Sequence, residues 1–398
     1  MFKIHISELT TDHLLARSVF RDNGELLLAS GYKITTPVLQ KLHESEQEIF
    51  WVIEDGLEDL IPHEIMDEQL TRQSTQALSE NMAALKINLK ESVGSLEDMQ
   101  KTMEDTAKFK NIMSPEKLIQ SSVGIIESVL SNEGAMVNLA GIRNQSDFTF
   151  QHSIEVAVVA AMIGSKFGFT KQELQELCLG VLLMDTGYLV MPNELVNRKG
   201  RVSFQEFSLL KEHTTYGYKI LKENPRIPLV SAHVAYQHHE RQDGGGYPRR
   251  LKGNNDSPTR AKIRERKTIH RYAEIAAVAD YYVSQLTPKN SADAKSPQEV
   301  IELLIRSAGT SLNSSIVDAL VTIIPIYPVG SRIVVLDDQN KDYRGFTGVV
   351  ISFSEDFPEA PGIVLLRDKH KNKLTPIKLD LRLRADITIQ FQAIKAPK

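Results

Sequence analysis

The chain has one cysteine, one tryptophan, no long apolar run and no excess of basic residues, and each scarcity removes a class of protein. Cys178 alone can form neither an intrachain disulfide nor a thiolate metal cage, so any bound metal must take nitrogen and oxygen ligands. A reducing, cytoplasmic setting is expected. No stretch approaches the roughly 18–20 apolar residues that span a bilayer, and the opening residues lack the basic flank and apolar core of a signal peptide. The 47 Lys and Arg against 51 Asp and Glu leave a net charge of −4, which argues against a broad DNA or RNA footprint. Any phosphate-binding site is therefore local. What is present, 398 residues with 41% apolar and 25% charged, is the composition of a globular chain of about two to four domains.

The pattern divides the chain into four parts. Residues 1–58 read as short strands and a helix, a small α+β module, with Asn23-Gly24 as a hairpin turn in which both positions favour positive φ. Residues 59–114 are rich in Glu, Gln, Lys, Met and Leu and predict a long, mostly solvated helix or helical pair, a linker or a dimerising stalk. Residues 115–325 are helix-rich and open on Ser114-Pro115-Glu116, with a cap residue, a proline and a first-turn acid. Thr170-Lys-Gln-Glu173 and Ser203-Phe-Gln-Glu206 are capping boxes. Helices are expected near 115–132, 150–167, 171–185, 204–222 and 228–239, with more from 271 to 320. In residues 326–398 the apolar period changes to two, which predicts a small antiparallel β module. The chain is thus mainly α, a helical bundle flanked by two small sheet-bearing modules.

Five of the 11 histidines fall between residues 213 and 270, and His238 and His239 are adjacent. Long spacing of this kind arises when a bundle core collects ligands from several helices. The candidates are His152, Asp185, His213, His238, His239 and Asp280. Asp185 and Asp280 each close an apolar helical run, where an unpaired carboxylate is costly and a metal held with imidazoles is an economical partner. The plainer reading of any one buried histidine is a hydrogen-bonded core residue, and it loses weight as the members accumulate. His233 and His270 fall outside the set.

After the histidine pair comes Glu240-Arg-Gln-Asp243-Gly244-Gly-Gly246-Tyr247-Pro248, a loop whose glycines permit backbone shapes closed to other residues. Nine Lys and Arg between 249 and 271 stand against Asp256 and Glu265, a patch able to draw in a phosphorylated ligand or simply a solvated surface.

These residues resemble the HD-GYP family, HD-domain phosphohydrolases that hydrolyse cyclic di-GMP. The likeness covers about residues 120–320. Phe150-Gln-His152-Ser resembles its first His-Ser helix, and Leu182-Leu-Met-Asp185-Thr-Gly-Tyr188 stands where His-Asp-x-Gly-Lys is expected. Lys211-Glu-His213 resembles the next histidine helix, His238-His-Glu-Arg-Gln-Asp243-Gly-Gly-Gly-Tyr247-Pro248 the signature loop, and Val278-Ala-Asp280 the last metal-binding aspartate. The resemblance implies an HD-domain bundle and a metal site drawn from His152, Asp185, His213, His238, His239 and Asp280. It further implies Asp185 as catalytic, cyclic di-GMP or a related nucleotide as ligand, and pGpG or GMP as product. Iron, manganese or zinc, one or two per chain, would supply the two-metal chemistry of phosphodiester hydrolysis.

Three departures bear on activity. Met184 replaces the histidine of the His-Asp motif, and a thioether suits such ions poorly. Tyr188 replaces the lysine, keeping only a hydroxyl for substrate. Lys289-Asn-Ser-Ala292 stands where Arg-Pro-Tyr-Arg is expected, so Lys289 alone keeps a substrate-binding charge. An impaired phosphodiesterase is the first expectation. A silent relative that binds a nucleotide, or a protein at the Gly-Tyr-Pro loop, is the second, and a structural or scaffold protein in which the helical stalk and the end modules matter most is the third; a homodimer through the helical linker is a separate expectation.

Overall fold

The computed structural model describes residues 1–20, 26–43, 49–54, 56–57, 60, 65–90, 104, 109–110, 113–132, 148–196, 198, 200–259, 268–287, 295–339, 342–354 and 356–392. The N-terminal part contains β1 (Phe2–His5), β2 (Leu14–Leu15), β3 (Val19–Phe20), β4 (Leu26–Leu28), α1 (Thr36–His43) and β5 (Ile49–Ile53). β5 lies between β1 and β2, with Phe2 opposite Val52 and Leu15 also opposite Val52, while β3 and β4 form a separate antiparallel pair. The expected Asn23-Gly24 turn falls outside the described residues.

The C-terminal part is one antiparallel sheet of β6 (Arg332–Asp338), β7 (Thr347–Ser352), β8 (Gly362–Arg367), β9 (Lys373–Asp380) and β10 (Ile387–Phe391) in the order β10-β6-β7-β8-β9. The two ends of the chain are not separate. Phe2, Ile4, Leu15, Phe50 and Val52 share a core with Val349, Val364 and Leu366. Arg367 Nη1 donates to Glu54 Oε1 at 2.9 Å, and Arg332 pairs with Glu8. Strand patterning reveals an apolar sheet face but not which surface covers it, so sequence alone divides what the fold joins.

Between them lie α2 (Glu68–Lys90), α3 (Glu116–Ser131), α4 (Phe148–Lys166), α5 (Lys171–Leu182), a 3₁₀ turn (Thr186–Val190), α6 (Asn193–Val196), α7 (Phe204–Lys222), α8 (Leu229–Gln237), α9 (Arg271–Leu286), α10 (Pro297–Ser307) and α11 (Ser314–Val321). Val156 to Ile163 of α4 are all buried, as befits a helix apolar all round, and α4 packs on α5 and α9. Thr170 and Ser203 form the expected capping boxes of α5 and α7. Pro115, expected at the first helical position, occupies the cap of α3 and leaves it without a side-chain cap.

α2 differs from the solvated stalk expected of it. Ala77, Leu78, Met82 and Leu85 are buried in the core built by Leu179, Val190, Ile220 and Leu221, and α2 lies against α3, α4 and the 3₁₀ turn. Burial of each Leu side chain contributes about 1.5–3 kcal/mol, enough to dock a helix whose other face is polar. The polar residues between these few apolar ones hide the stripe from a compositional reading. Among the described residues, no helix is long and apolar enough to cross a membrane.

Candidate metal centre

His213 sits on the buried side of α7, and its Nδ1–H donates to the Leu210 carbonyl at 2.7 Å. His238 caps the C-terminus of α8, and its Nδ1–H donates to the carbonyls of Val234 and Ala235, both at 3.1 Å. A carbonyl only accepts, so both imidazoles carry their proton on Nδ1 and offer a lone pair at Nε2. The two Nε2 atoms face each other at 3.4 Å. Asp185 Oδ1 lies 3.9 Å from the first and 3.8 Å from the second. His239 brings a third imidazole, with ligand atoms of all three histidines within 4.8 Å of one another.

The Nε2 atoms of His213 and His238, a ring nitrogen of His239 and, beside the first two, Asp185 Oδ1 thus lie close together. Burial and the neighbouring His238 push the His213 pKa down to about 3, and burial with His238 and His213 takes His239 well below its ordinary value. Burial raises the Asp185 carboxyl, against the pull of His238. Rings fixed from behind by backbone carbonyls, as those of His213 and His238 are, is how histidines are held for a metal. The donor set fits one divalent cation.

The local fold explains the convergence. α5 ends at Leu182, three residues short of the end expected for it, so Asp185 lies beyond the helix at the cap position of the 3₁₀ turn. Gly187 presses this turn onto α7: a Cβ there would stand 1.8 Å from the His213 carbonyl oxygen and 2.7 Å from the Gly217 nitrogen. Only glycine allows that approach, which lays the Tyr188 ring flat on His213, centroids 4.0 Å apart and planes 10° apart.

His152 on α4 and Asp280 on α9 form a second, different arrangement. His152 Nε2 lies 2.8 Å from Asp280 Oδ1, and Ser284 Oγ donates to the same oxygen at 3.2 Å. Burial disfavours charge on both groups, yet their hydrogen bond wins, raising the His152 pKa and lowering that of Asp280. This bond links α4 to α9 directly. Met184 is 1% exposed and lies in the apolar core with Ile163, Leu177 and Ala279, away from a ligand's role.

The signature loop is held by its own side chains. Glu240 accepts from the backbone nitrogens of Arg249 and Leu251 at 2.7 and 2.8 Å. Gln242 accepts from Asn255 N and donates to the buried Glu274, which also receives Asn313 Nδ2. Asp243 pairs with Arg241 and accepts from Gly245 N, which holds its carboxyl down at about 2. Gly244 takes φ +79°, and a Cβ on Gly246 would stand 2.5 Å from the His239 oxygen. Tyr247, joined to Pro248 by a cis peptide bond, stacks on His239 with centroids 4.8 Å apart.

His213, His238 and His239 are thus brought together with Asp185, Tyr188 and Tyr247 around them, and His152 with Asp280, while Asp243 pairs with Arg241. Lys289, and Arg260, Lys262, Arg264, Arg266 and Lys267 of the basic stretch, lie outside the described residues. Arg271 is drawn inward to Glu173 at 2.8 Å. Sequence reading misses Gln242, Glu274 and Asn313, whose pairing joins distant segments and leaves no local signal. It also misses Lys211, whose Nζ lies 4.6 Å from the Phe207 ring centroid and 5.4 Å from that of Tyr247. The i, i+4 spacing of Phe207 and Lys211 is the signal that could have found it.

Comparison with known proteins bears on this geometry. Residues 136–316 match the HD domain family. The chain is 25% identical over 209 residues to a cyclic di-GMP phosphodiesterase of Pseudomonas aeruginosa, covering 52% of this chain and 47% of that one. It is 26% identical over 185 residues to 3′3′-cGAMP-specific phosphodiesterase 2 of Vibrio cholerae, covering 46% and 33%. A solved structure, Bd1817, a HDG"Y"P protein from Bdellovibrio bacteriovorus, aligns over 80% of this chain and 97% of its own, at 17% identity and a TM-score of 0.41. The chain spans about half the length, or less, of the curated relatives it matches.

Proposed function

We infer the function from one premise: the helical core of this chain belongs to the HD-GYP family of HD domains. On that premise the chain is a metal-dependent phosphodiesterase acting on a cyclic dinucleotide, with cyclic di-GMP as substrate and linear pGpG or GMP as product, working at a reduced rate. The observation that carries this is the meeting of His213, His238 and His239, with ligand atoms within 4.8 Å of one another and Asp185 beside the first two.

These four residues would hold one divalent ion, and mixed nitrogen and oxygen donors suit iron, manganese or zinc. Such an ion, when bound, lowers the pKa of water and neutralises phosphate charge. The chain's own groups do the rest. The carbonyls of Leu210, Val234 and Ala235 keep the protons on Nδ1, and Tyr188 and Tyr247 brace His213 and His239 by stacking. Asp185 is the remaining carboxylate beside them and serves as the catalytic ligand. In the overall reaction a water oxygen bonds to phosphorus, the ester P–O bond breaks, and the freed ribose oxygen takes up a proton.

Two features of the second half of the site support the reduced rate. His152 and Asp280 are hydrogen-bonded to each other, and Met184 is buried in the apolar core, so a second ion would lack one ligand and would have to part the other two. The same two facts favour a second reading, a silent relative that binds the nucleotide, or a protein at the Gly-Tyr-Pro loop, without turnover. A homodimer through the helical linker would use surfaces other than the buried face of α2. A cytoplasmic location belongs to the same proposal.

The test is incubation of iron- or manganese-loaded protein with cyclic di-GMP and with 3′3′-cGAMP, products being separated by chromatography. Slow release of pGpG or GMP, abolished by Asp185→Ala, is expected. Binding without any product under every metal loading would move the chain to the second reading.

A further inference from the structure

Lys211 stands two residues before His213 on α7, so the helix turns the histidine inward and leaves the lysine half-buried beside it. Its ammonium lies over the rings of Phe207 and Tyr247, and Tyr247 in turn stacks on His239. These two spacings put the charge within about 10 Å of the His239 ring. Among the described residues no carboxylate lies within ion-pair distance of Lys211, whereas Arg241 on the neighbouring loop is taken up by Asp243 through two hydrogen bonds. An ammonium held over aromatic faces keeps its three N–H donors for another acceptor.

We propose that Lys211 is the phosphate-binding cation of this site: it contacts a phosphodiester oxygen of the cyclic dinucleotide whose other oxygens face the His213–His238–His239 cluster. The inference rests on the functional reading above and deepens it. Tyr188, which reaches the cluster from the 3₁₀ turn, lies flat on His213 and brings no charge, so the positive group comes from α7 instead. Phe207, 44% exposed beside Lys211, gives a purine an apolar face next to the phosphate. The ring of Tyr247 links the two functions, bracing His239 and bearing the ammonium.

The test is calorimetric binding of cyclic di-GMP to full-length wild type, Lys211→Met and Lys211→Arg, with metal content measured on each sample. A charged hydrogen bond to phosphate corresponds to an affinity loss of about 10- to 100-fold in Lys211→Met. Lys211→Arg, which keeps the charge and the donors, should stay within about threefold of wild type, with metal content equal in all three. Wild type and Lys211→Met binding with the same Kd would overturn the inference while leaving the functional reading intact. Wild type that binds neither cyclic di-GMP nor 3′3′-cGAMP would overturn that reading and the inference together. A loss in Lys211→Met accompanied by a loss of metal would also overturn it, since the lysine would then act on the metal ligands.

Discussion

His213 and His238 confront each other through Nε2 atoms 3.4 Å apart, each with its proton turned away onto backbone carbonyls. Two lone pairs at that distance repel, and a cation between them converts the repulsion into attraction. Metal should therefore stabilise the fold. At a free concentration near 100 times its Kd, manganese or zinc is expected to add about 2.7 kcal/mol, seen as a rise of Tm by several degrees. His238→Ala should abolish the rise, and an undiminished rise in that variant would place the ion elsewhere.

Gly187 permits the contact that brings Asp185 and Tyr188 to His213. Gly187→Ala puts a methyl group against backbone atoms that cannot rotate away, so the 3₁₀ turn must separate from α7. A destabilisation of about 3 kcal/mol is expected in urea unfolding, the upper end of overpacking costs. Weaker metal uptake should accompany it, and an alanine variant with wild-type stability would refute the close approach.

α2 is part of the bundle. Leu85 is fully buried beneath it, and Leu85→Ala should cost about 2–5 kcal/mol. A change at an exposed position of the same helix, Ile87→Ala, should be nearly neutral. Equal, small effects at both positions would return α2 to a solvated stalk.

His270 caps α9 by accepting from Tyr272 N, and burial, His233 and Arg271 push its pKa down to about 4. The unfolded chain, with an ordinary histidine near 6.5, binds this proton first as pH falls. The contribution of neutral His270 is thus present above about pH 6.5 and is lost on descending toward pH 4, at up to about 1.4 kcal/mol per pH unit. His270→Asn retains a cap and removes the titration, so its stability between pH 6.5 and 4 should fall less steeply. Parallel curves would contradict the assignment.

The helices and their caps were legible in the sequence because Thr170, Glu173, Ser203 and Glu206 act within a few residues of one another. The candidate residues could be assembled from the sequence for a different reason, the Gly-Tyr-Pro loop and its neighbouring histidines, three of which the structure brings together. Their pairing was not legible. Nothing in the spacing says that His152 meets Asp280 directly while His213 meets His238 around Asp185, since partners 128 and 25 residues apart are chosen by packing of α4, α7, α8 and α9. The joint core of Phe2, Phe50, Val349 and Val364 was hidden likewise, by the length of chain between the two sheets. α2 was misjudged because four buried apolar residues suffice to dock a helix that is otherwise polar.

Metal stoichiometry tests the central claim most directly. Elemental mass spectrometry of anaerobically purified protein, reconstituted with iron, manganese or zinc and normalised to chain concentration, should give one ion per chain, lost in His213→Ala and retained in His152→Ala. Two ions per chain, or none under any reconstitution, would contradict a single site built on His213, His238, His239 and Asp185.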